Sequence, residues 1–247
     1  MSLISIDFHN TLFHCNEWFR LEIETLPAAF LRWRQTAGDP DVTEKTVRDA
    51  VAAYRAIRAG VMSSGEESDA VSSLRLVVDQ LDIPAGDDEI ERGVEELMRS
   101  ALGSARPLDG ARALIQHLVD AGHTLAVVSS AAYHPFLEWA LAEHGLRDAF
   151  SAVVTSASCG IYKSNPAIYT HTLERLSAPA DDAVHIGDSH RFDVTTARLA
   201  GMRTVLLADH RDLTLDPQPD AWIATLGEAS AVLDTLPVHR RPNRSGS

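Results

Sequence analysis

The chain has 247 residues, of which 45% are hydrophobic and 23% charged, as in ordinary globular proteins of one large or two smaller domains. Its formal net charge of −13 argues against nucleic acid or an anionic membrane as a partner. No apolar run is long enough to cross a bilayer, no secretory signal is apparent, and two distant cysteines indicate neither a disulfide framework nor a zinc site. We therefore expect a cytoplasmic protein.

The first predicted element is a short apolar run, Leu3–Ile6, that ends at Asp7 and is followed by turn-forming residues. Such a run is typical of a buried strand of a parallel sheet. In open α/β sheets the ligand crevice lies beyond the carboxyl ends of the strands, so Asp7 would stand at the mouth of a site. The alternative is that Asp7 only caps the following turn.

From residue 16 to about residue 102 the apolar residues recur at helical spacing, without an intervening strand pattern. They form four stripes: Phe19, Ile23, Leu26, Phe30 and Trp33; Val47, Val51, Tyr54 and Ile57; Val71, Leu74, Val78 and Leu81; Ile90, Val94, Leu97 and Ala101. Pro27 should kink or break the first helix, and residues 60–65 are predicted as a loop. We interpret residues 15–104 as a helical domain inserted after the first strand.

The arginines of this predicted insert allow two interpretations. They are Arg32, Arg34, Arg48, Arg55 and Arg58. All of them can form a solvated face, or one or two of them can face the crevice.

After Pro107 the predicted strands and helices alternate. Strands are expected at residues 124–128, 152–155, 183–186 and 204–207, with a further strand-like entry after Ala221. Helices are expected at residues 111–121, 134–144, 166–176, 192–200 and near the end of residues 221–236. This rhythm predicts an α/β fold with a doubly wound parallel sheet, built from residues 1–14 and 105–238. The tail, residues 239–247, is expected to be disordered.

Polar residues follow three of the predicted strands. They are Asp7, Ser129 and Asp188, and Lys163 lies in a loop before another helix. Because the carboxyl ends of parallel strands meet at one edge of a sheet, these groups should converge there. Two carboxylates, a hydroxyl and a lysine suit phosphoryl transfer with Mg²⁺, which prefers oxygen ligands. The simpler alternatives are a helix cap for Asp188 and a surface position for Lys163.

Four segments in this order resemble the motifs of the haloacid dehalogenase superfamily, in its helical-cap branch. Residues 7–12 resemble the first motif, Asp-x-Asp-x-Thr, and Ser129 matches the second. Residues 160–166 resemble the third motif, with Lys163 as its lysine, and residues 185–189 with Asp193 are similar to the fourth. The resemblance covers nearly the whole chain up to about Leu236, and it implies a Rossmann-like core with an α-helical cap.

The resemblance also implies a reaction and a metal. Asp7 would attack phosphorus and form an aspartyl-phosphate, which water then cleaves. Mg²⁺ would be held by Asp7, by the backbone carbonyl of His9 and by Asp188. Asp193 would ligate the metal directly or orient the ligands.

The same resemblance places the phosphoryl group of a small phosphorylated substrate. Ser129 would donate a hydrogen bond to a phosphoryl oxygen, and Lys163 would reduce the repulsion between the phosphate and Asp7. Ser130 would either donate its backbone N–H to the phosphate or cap the next helix.

His9 departs from the family pattern. The phosphatases of the family carry an aspartate here, which protonates the leaving group and activates water. An imidazole, with a reference pKa of about 6.5, is able to carry out either half of that task. Its shape differs from that of a carboxylate, so the departure bears on efficiency and on reaction type.

Four interpretations of function compete on the sequence. The first is a Mg²⁺-dependent phosphatase acting on a small phosphorylated metabolite. The others are a related hydrolase such as a 2-haloacid dehalogenase, a phosphate-binding or regulatory protein with weakened turnover, and a phosphosugar mutase. Dehalogenases of this family need no metal, and the segment Gly187-Asp188-Ser189 therefore argues against that interpretation.

Overall fold

Six parallel strands form the central sheet of the structure, a computed structural model that describes residues 2–38 and 42–236. Labelled in chain order, they are β1 (Leu3–Ile6), β4 (Thr124–Ser129), β5 (Ala152–Thr155), β6 (Ala183–Gly187), β7 (Arg203–Leu207) and β8 (Ala221–Ile223). Two shorter strands, β2 (Phe13–His14) and β3 (Arg106–Pro107), lie outside this sheet. The order of the six across the sheet is β5-β4-β1-β6-β7-β8, with every neighbouring pair parallel. The predicted α/β fold is confirmed. The predicted disordered tail lies outside the described residues.

The first strand is buried on both faces, which explains its uninterrupted apolar sequence. Ile4 and Ile6 point to one side, where they join an apolar cluster with the helices that follow β3 and β4 and with the insert. Leu3 points to the other side and packs into a second cluster with Ile168 and Tyr169. The central position of β1 places Asp7 at the middle of the sheet edge.

Eleven α-helices are described. Five lie between β2 and β3: α1 (Asn16–Arg20), α2 (Leu26–Thr36), α3 (Glu44–Ser64), α4 (Ala70–Gln80) and α5 (Asp87–Leu102). Six follow β3: α6 (Ala111–Asp120), α7 (His134–Glu143), α8 (Ser156–Cys159), α9 (Ala167–Arg175), α10 (Thr196–Leu199) and α11 (Ala229–Thr235). Residues 16–102 are called the helical insert below. None of the helices in the described parts of the chain has the length and apolar character needed to cross a membrane.

The helical insert leaves and rejoins the core through a short antiparallel pair that the sequence did not predict. This pair consists of β2 (Phe13–His14) and β3 (Arg106–Pro107). Strands of two residues are too short to show an alternation of apolar and polar side chains, so the sequence pattern does not indicate them. The pair holds the two connections side by side.

Further backbone hydrogen bonds dock the insert on the core. The Ala70 N–H donates to the Ala132 carbonyl over 2.8 Å, and the Glu67 N–H donates to the Gly160 carbonyl over 2.9 Å. The Tyr162 N–H donates to the Gly65 carbonyl, also over 2.9 Å. These bonds set the insert directly over the sheet edge that follows β4 and β5.

The insert helices differ from the sequence prediction near Pro27 and at residues 60–65. Where a kink or break was predicted at Pro27, the helical backbone is irregular and not interrupted: a π-helical turn (Leu21–Thr25) separates α1 from α2, and the proline sits in the first turn of α2. The loop predicted at residues 60–65 is wrong, because α3 continues through Gly60 to Ser64. Gly60 faces open space, and an exposed glycine costs a helix only about 1 kcal/mol. The helix ends at Gly65, whose φ of 76° is left-handed.

The helix predicted at residues 192–200 is also different in the structure. A π-helical segment (His190–Thr195) comes first, and only four residues, Thr196–Leu199, form α10. The wider π turn brings Asp193 back beneath Gly187, where a hydrogen bond from the Ser189 N–H holds its carboxylate. Apolar periodicity does not distinguish this turn from an α-helix.

Candidate active site

A cavity of about 590 Å³ opens between the sheet edge and the helical insert. All seven residues that the sequence analysis assigned to a site line it: Asp7, His9, Ser129, Ser130, Lys163, Asp188 and Asp193. The core contributes the carboxylates and the lysine. The insert contributes a largely apolar wall.

Asp7 is held firmly at the end of β1. Its backbone N–H donates to the Ile186 carbonyl over 2.8 Å, so the residue extends the pairing of β1 with β6. One carboxylate oxygen accepts a hydrogen bond of 2.7 Å from Lys163 Nζ, and the other lies 3.5 Å from the Thr11 hydroxyl. The side chain is only 10% exposed, with its oxygens directed at the cavity.

Lys163 lies between two carboxylates. It is 2% exposed and pairs with Asp7 and with Asp193. Burial alone would lower the pKa of this amine, but the charges of Asp193 and Asp7 outweigh burial and raise the pKa well above its ordinary value. The lysine is therefore a fixed positive charge beside Asp7, and the surface position considered for it is wrong.

Asp193 is the most enclosed of the three aspartates. One oxygen accepts from the Ser189 N–H over 2.8 Å, and the other is shared by Lys163 and by His185 Nε2, the latter at 3.0 Å. Burial raises its pKa, but the charge of Lys163 and the hydrogen bond from His185 outweigh burial, so the pKa lies well below its ordinary value. A Cβ on Gly187 would lie 2.2 Å from the Asp193 side chain, so only glycine fits there.

The three aspartates meet the requirements of a cation site. Oxygens of Asp7, Asp188 and Asp193 lie within 4.8 Å of one another. Burial, reinforced by neighbouring carboxylates, raises the pKa of Asp7 to about 7 and that of Asp188 to about 6, although Lys163 opposes both shifts. Three acids thus share one lysine. A divalent cation with oxygen preference, such as Mg²⁺, fits this donor set because it would offset the remaining repulsion.

His9 turns its imidazole toward the helical insert. The ring stacks on Phe19, with centroids 4.1 Å apart, and Nε2 lies 3.0 Å from the side-chain oxygen of Asn16. An amide oxygen only accepts, so this Nε2 carries the hydrogen and Nδ1 carries the lone pair. Burial lowers the pKa of His9, although the bond to Asn16 opposes the shift, so the neutral ring is favoured.

The two serines follow β4 at the edge of the cavity. Ser129 is the last residue of the strand, pairs with Thr155 of β5 in the sheet register, and is buried. Ser130 comes next, and both border the space in front of Asp7.

Most of the insert residues that line the cavity were not predicted from the sequence. The apolar part of this wall includes Trp18, Phe19, Ile23 and Met62. Its polar part includes Glu22 and Arg58, and Arg58 is paired with the buried Glu67 behind it. The interpretation that one or two arginines face the crevice is the correct one, because Arg55 and Arg58 line the cavity.

The position of Glu22 in the sequence indicates that its carboxyl group is buried. This residue lies three residues after Phe19 and four before Leu26, within the apolar stripe of the first insert helix. A charged residue in such a stripe must be paired or neutral when it is buried. Glu22 is 1% exposed, and one of its carboxyl oxygens accepts from the Tyr133 N–H over 3.3 Å.

This arrangement can carry out nucleophilic displacement. A buried carboxylate borders a cavity, a lysine beside it offsets negative charge, and Ser129 and Ser130 line the same cavity. Two more aspartates lie close enough to Asp7 to offer oxygen ligands for a cation beside it.

Comparison with known proteins agrees with this arrangement. A family model described as haloacid dehalogenase-like hydrolase matches residues 1–201. The haloacid dehalogenase-like hydrolase domain-containing protein 3 of Danio rerio is 38% identical over 99 residues, which is 39% of this chain and 41% of that protein. The glyceraldehyde 3-phosphate phosphatase of Pyrococcus abyssi is 26% identical over 127 residues, 51% of this chain and 52% of that protein. The matches thus span about two-fifths to one half of the length of these relatives.

A solved structure extends the likeness to the whole fold. The 2-haloacid dehalogenase of Pseudomonas syringae pv. Tomato DC3000 has a TM-score of 0.71 and 21% identity, with 95% of this chain and 98% of that chain covered. At this identity the likeness concerns the fold alone. The family model matches most of the length of this chain, and the motif residues lie around one cavity. This chain therefore belongs to the haloacid dehalogenase-like hydrolases.

Proposed function

We propose that the protein is a Mg²⁺-dependent phosphatase that hydrolyses a small phosphorylated metabolite. The observation that carries this proposal is the cluster of Asp7, Asp188 and Asp193 around Lys163 at the edge of the parallel sheet. A haloacid needs a nucleophile and an apolar pocket, but it does not need a cation site. A phosphate ester needs both the cation site and the lysine, because its dianion is otherwise repelled by Asp7.

Asp7 is the nucleophile of this proposal. One of its oxygens forms a bond to phosphorus while the bond from phosphorus to the ester oxygen breaks, which gives an aspartyl-phosphate and an alkoxide that takes a proton from water. Ser129 and Lys163 hold phosphoryl oxygens, and Ser130 adds its backbone N–H. Water then attacks the phosphorus and gives up a proton to His9, while the bond between phosphorus and Asp7 breaks, which releases inorganic phosphate and restores the Asp7 carboxylate.

The metal would be held by Asp7, by the carbonyl of His9 and by Asp188, with Asp193 orienting the site. When bound, Mg²⁺ supplies Lewis-acid stabilisation of the charge that develops on the phosphoryl oxygens. The enclosure of Asp193 by Lys163, His185 and the Ser189 N–H favours an orienting role over direct ligation.

His9 takes the acid–base position in the proposal. Its Nδ1 lone pair is suited to accept a proton from the attacking water. A neutral ring has no such proton ready for a departing alkoxide, so protonation of the leaving group is the weaker step. We expect a phosphatase that prefers esters of acidic alcohols.

Several observations support a small metabolite as the substrate. The cavity of about 590 Å³ is in the range of small-molecule sites. The Pyrococcus abyssi relative is a phosphatase of a three-carbon phosphate by its name. The helical insert, predicted as residues 15–104, would serve as the cap that excludes water and shapes specificity. A cytoplasmic location stays a prediction from the sequence.

The test measures phosphate release from p-nitrophenyl phosphate with and without Mg²⁺, beside chloride release from 2-chloropropionate. We expect Mg²⁺-dependent phosphate release, no chloride release, and loss of activity by a factor on the order of 10⁴ or more in Asp7→Asn. Chloride release without metal would instead identify a dehalogenase.

A second candidate, a phosphate-binding member with weak turnover, is favoured by the contacts that hold His9 against Phe19 and Asn16. His9→Ala and His9→Asp separate the two. For a working base, His9→Ala lowers turnover by roughly 10²- to 10⁴-fold, while Mg²⁺ affinity changes little. If the parent and His9→Ala are both inert on an alkyl phosphate and His9→Asp is active, the binding role is correct.

A further inference from the structure

Two polar side chains lie opposite each other inside the buried strands. Ser5 of β1 and His185 of β6 are partners in the parallel register, and both are fully buried. They point to the same side of the sheet as Leu3, and neither lines the cavity. The reaction proposed above does not use them.

The contacts of His185 define how its ring is oriented. Nε2 lies 3.0 Å from an Asp193 oxygen, and Nδ1 lies 2.9 Å from the Ser5 hydroxyl oxygen. Because an ionised carboxylate only accepts, Nε2 carries the hydrogen and Nδ1 of the neutral ring accepts from Ser5. The alternative acceptor for Ser5, the Val184 carbonyl, is farther away at 3.4 Å. Tyr169 packs edge-on against the ring, with centroids 4.8 Å apart.

The same Asp193 oxygen that accepts from His185 also pairs with Lys163. Lys163 in turn donates to Asp7 over 2.7 Å. An unbroken path of hydrogen bonds and ion pairs therefore runs from Ser5 through His185, Asp193 and Lys163 to the nucleophile. If the ring were absent, the Asp193 carboxylate would lose its His185 donor on the buried side and would keep only Lys163, the Ser189 N–H and the more distant Tyr169 hydroxyl at 3.5 Å.

An aliphatic residue would fill this place in the sheet without the need for partners. A buried imidazole requires both of its nitrogens to be satisfied, and here both are. One partner, Asp193, lines the cavity, and the other, Ser5, does not. The arrangement resembles the way in which outer hydrogen bonds orient the ligands of metal sites.

We propose that His185, held in one tautomer by Ser5, is a positioning residue that fixes Asp193 and, through it, Lys163 against Asp7. The proposal rests on the proposed phosphatase function for its kinetic consequences. It does not rest on that function for the tautomer, which is a property of the folded protein alone.

The kinetic test compares three variants. His185→Leu fills the space but removes the donor, and we expect a fall in kcat of roughly 10- to 100-fold on p-nitrophenyl phosphate. His185→Gln retains an N–H at about the place of Nε2 and should recover most of that loss. Thr172→Val is the control, because Thr172 is buried in the same part of the core but donates only to the Ile168 carbonyl. It should lose stability and keep the parent kcat.

A spectroscopic test uses the parent protein and does not depend on turnover. Nitrogen chemical shifts of a ¹⁵N-histidine sample should show the Nε2–H tautomer for His185, and Ser5→Ala should shift the Nδ1 signal. The opposite tautomer in the parent would overturn the proposal, as would a folded His185→Leu with the parent kcat. If His185→Leu fails to fold, the tautomer and the His185→Gln kinetics decide. If the parent releases no phosphate, the proposed function fails and the tautomer alone decides.

Discussion

Two clusters of charged side chains border the cavity, one on the core and one on the helical insert. In the core, Asp7, Asp188 and Asp193 share Lys163. In the insert, Glu67 binds Arg58 at 2.6 Å and 3.3 Å, and Glu22 lies nearby. Each cluster has more carboxyl groups than cations.

The two clusters resolve this excess in different ways. In the core, the excess acids stand at the cavity edge with raised pKa values of about 7 and about 6, where a metal cation can reach them. In the insert, Glu22 borders the same cavity but is only 1% exposed, and burial raises its pKa to about 8 although Arg58 and backbone donors oppose the shift. A proton there takes the place that a metal would take in the core. The clusters thus differ in how open their excess acids are: the core cluster includes the exposed Asp188, whereas Glu22 is buried.

The largest effect is expected from breaking the insert cluster. Arg58→Met leaves Glu67 buried without its cation, and also removes the 2.7 Å hydrogen bond to the Ser68 carbonyl. We expect a loss of roughly 3 to 5 kcal/mol in the free energy of unfolding. Urea denaturation followed by circular dichroism measures this loss.

The matched control is Arg55→Met, three residues earlier on the same helix. Arg55 also pairs with a glutamate, Glu24, but both side chains are largely solvent-accessible at 59% and 37%. Exposed pairs contribute about 0 to 1 kcal/mol, so this variant should stay close to the parent. Equal losses in the two variants would show that burial of the Arg58 pair is not what makes it important.

The core cluster should respond in metal binding instead of stability. Asp188→Asn removes a charged oxygen ligand and also part of the repulsion among the aspartates. We expect Mg²⁺ affinity to fall by roughly 100-fold or more, with an unfolding free energy that is unchanged or slightly higher. Isothermal titration of the variant with Mg²⁺ measures the affinity, and an unchanged affinity would remove Asp188 from the metal site.

The difference between the clusters also explains what sequence analysis was able to predict. Asp7 follows a run of buried residues, and Asp188 and Lys163 stand at the ends of recognisable elements. Their meeting is a consequence of parallel topology, which the alternation of strands and helices predicts. The fold and the core half of the site were therefore readable.

The insert half was not readable, because it depends on packing between helices. Arg58 and Glu67 lie on either side of the end of α3, and Glu22 comes from the separate π-helical turn Leu21–Thr25. The spacing of apolar residues gives the faces of helices but not the angles between them. His185 and Ser5 lie between these two extremes. The sequence shows that each of two buried strands contains one polar residue, but only the register of the strands shows that the two residues are neighbours.

The last and smallest expected effect concerns the proton on Glu22. The ordinary pKa of a glutamate is 4.5, and the folded-state pKa of Glu22 is about 8. Between these values the folded protein holds a proton that the unfolded chain has released, so rising pH favours unfolding through this group.

Glu22→Gln keeps the acceptor for the Tyr133 N–H and cannot ionise. The unfolding free energy of the variant, relative to the parent, should therefore rise by up to about 1.4 kcal/mol between pH 6 and pH 7. Urea denaturation at both pH values measures it, with Glu17→Gln as the control at an exposed glutamate of the same insert. Parallel pH profiles for the parent and Glu22→Gln would mean that Glu22 is ionised in the fold, and that the insert cluster carries its excess negative charge as the core cluster does.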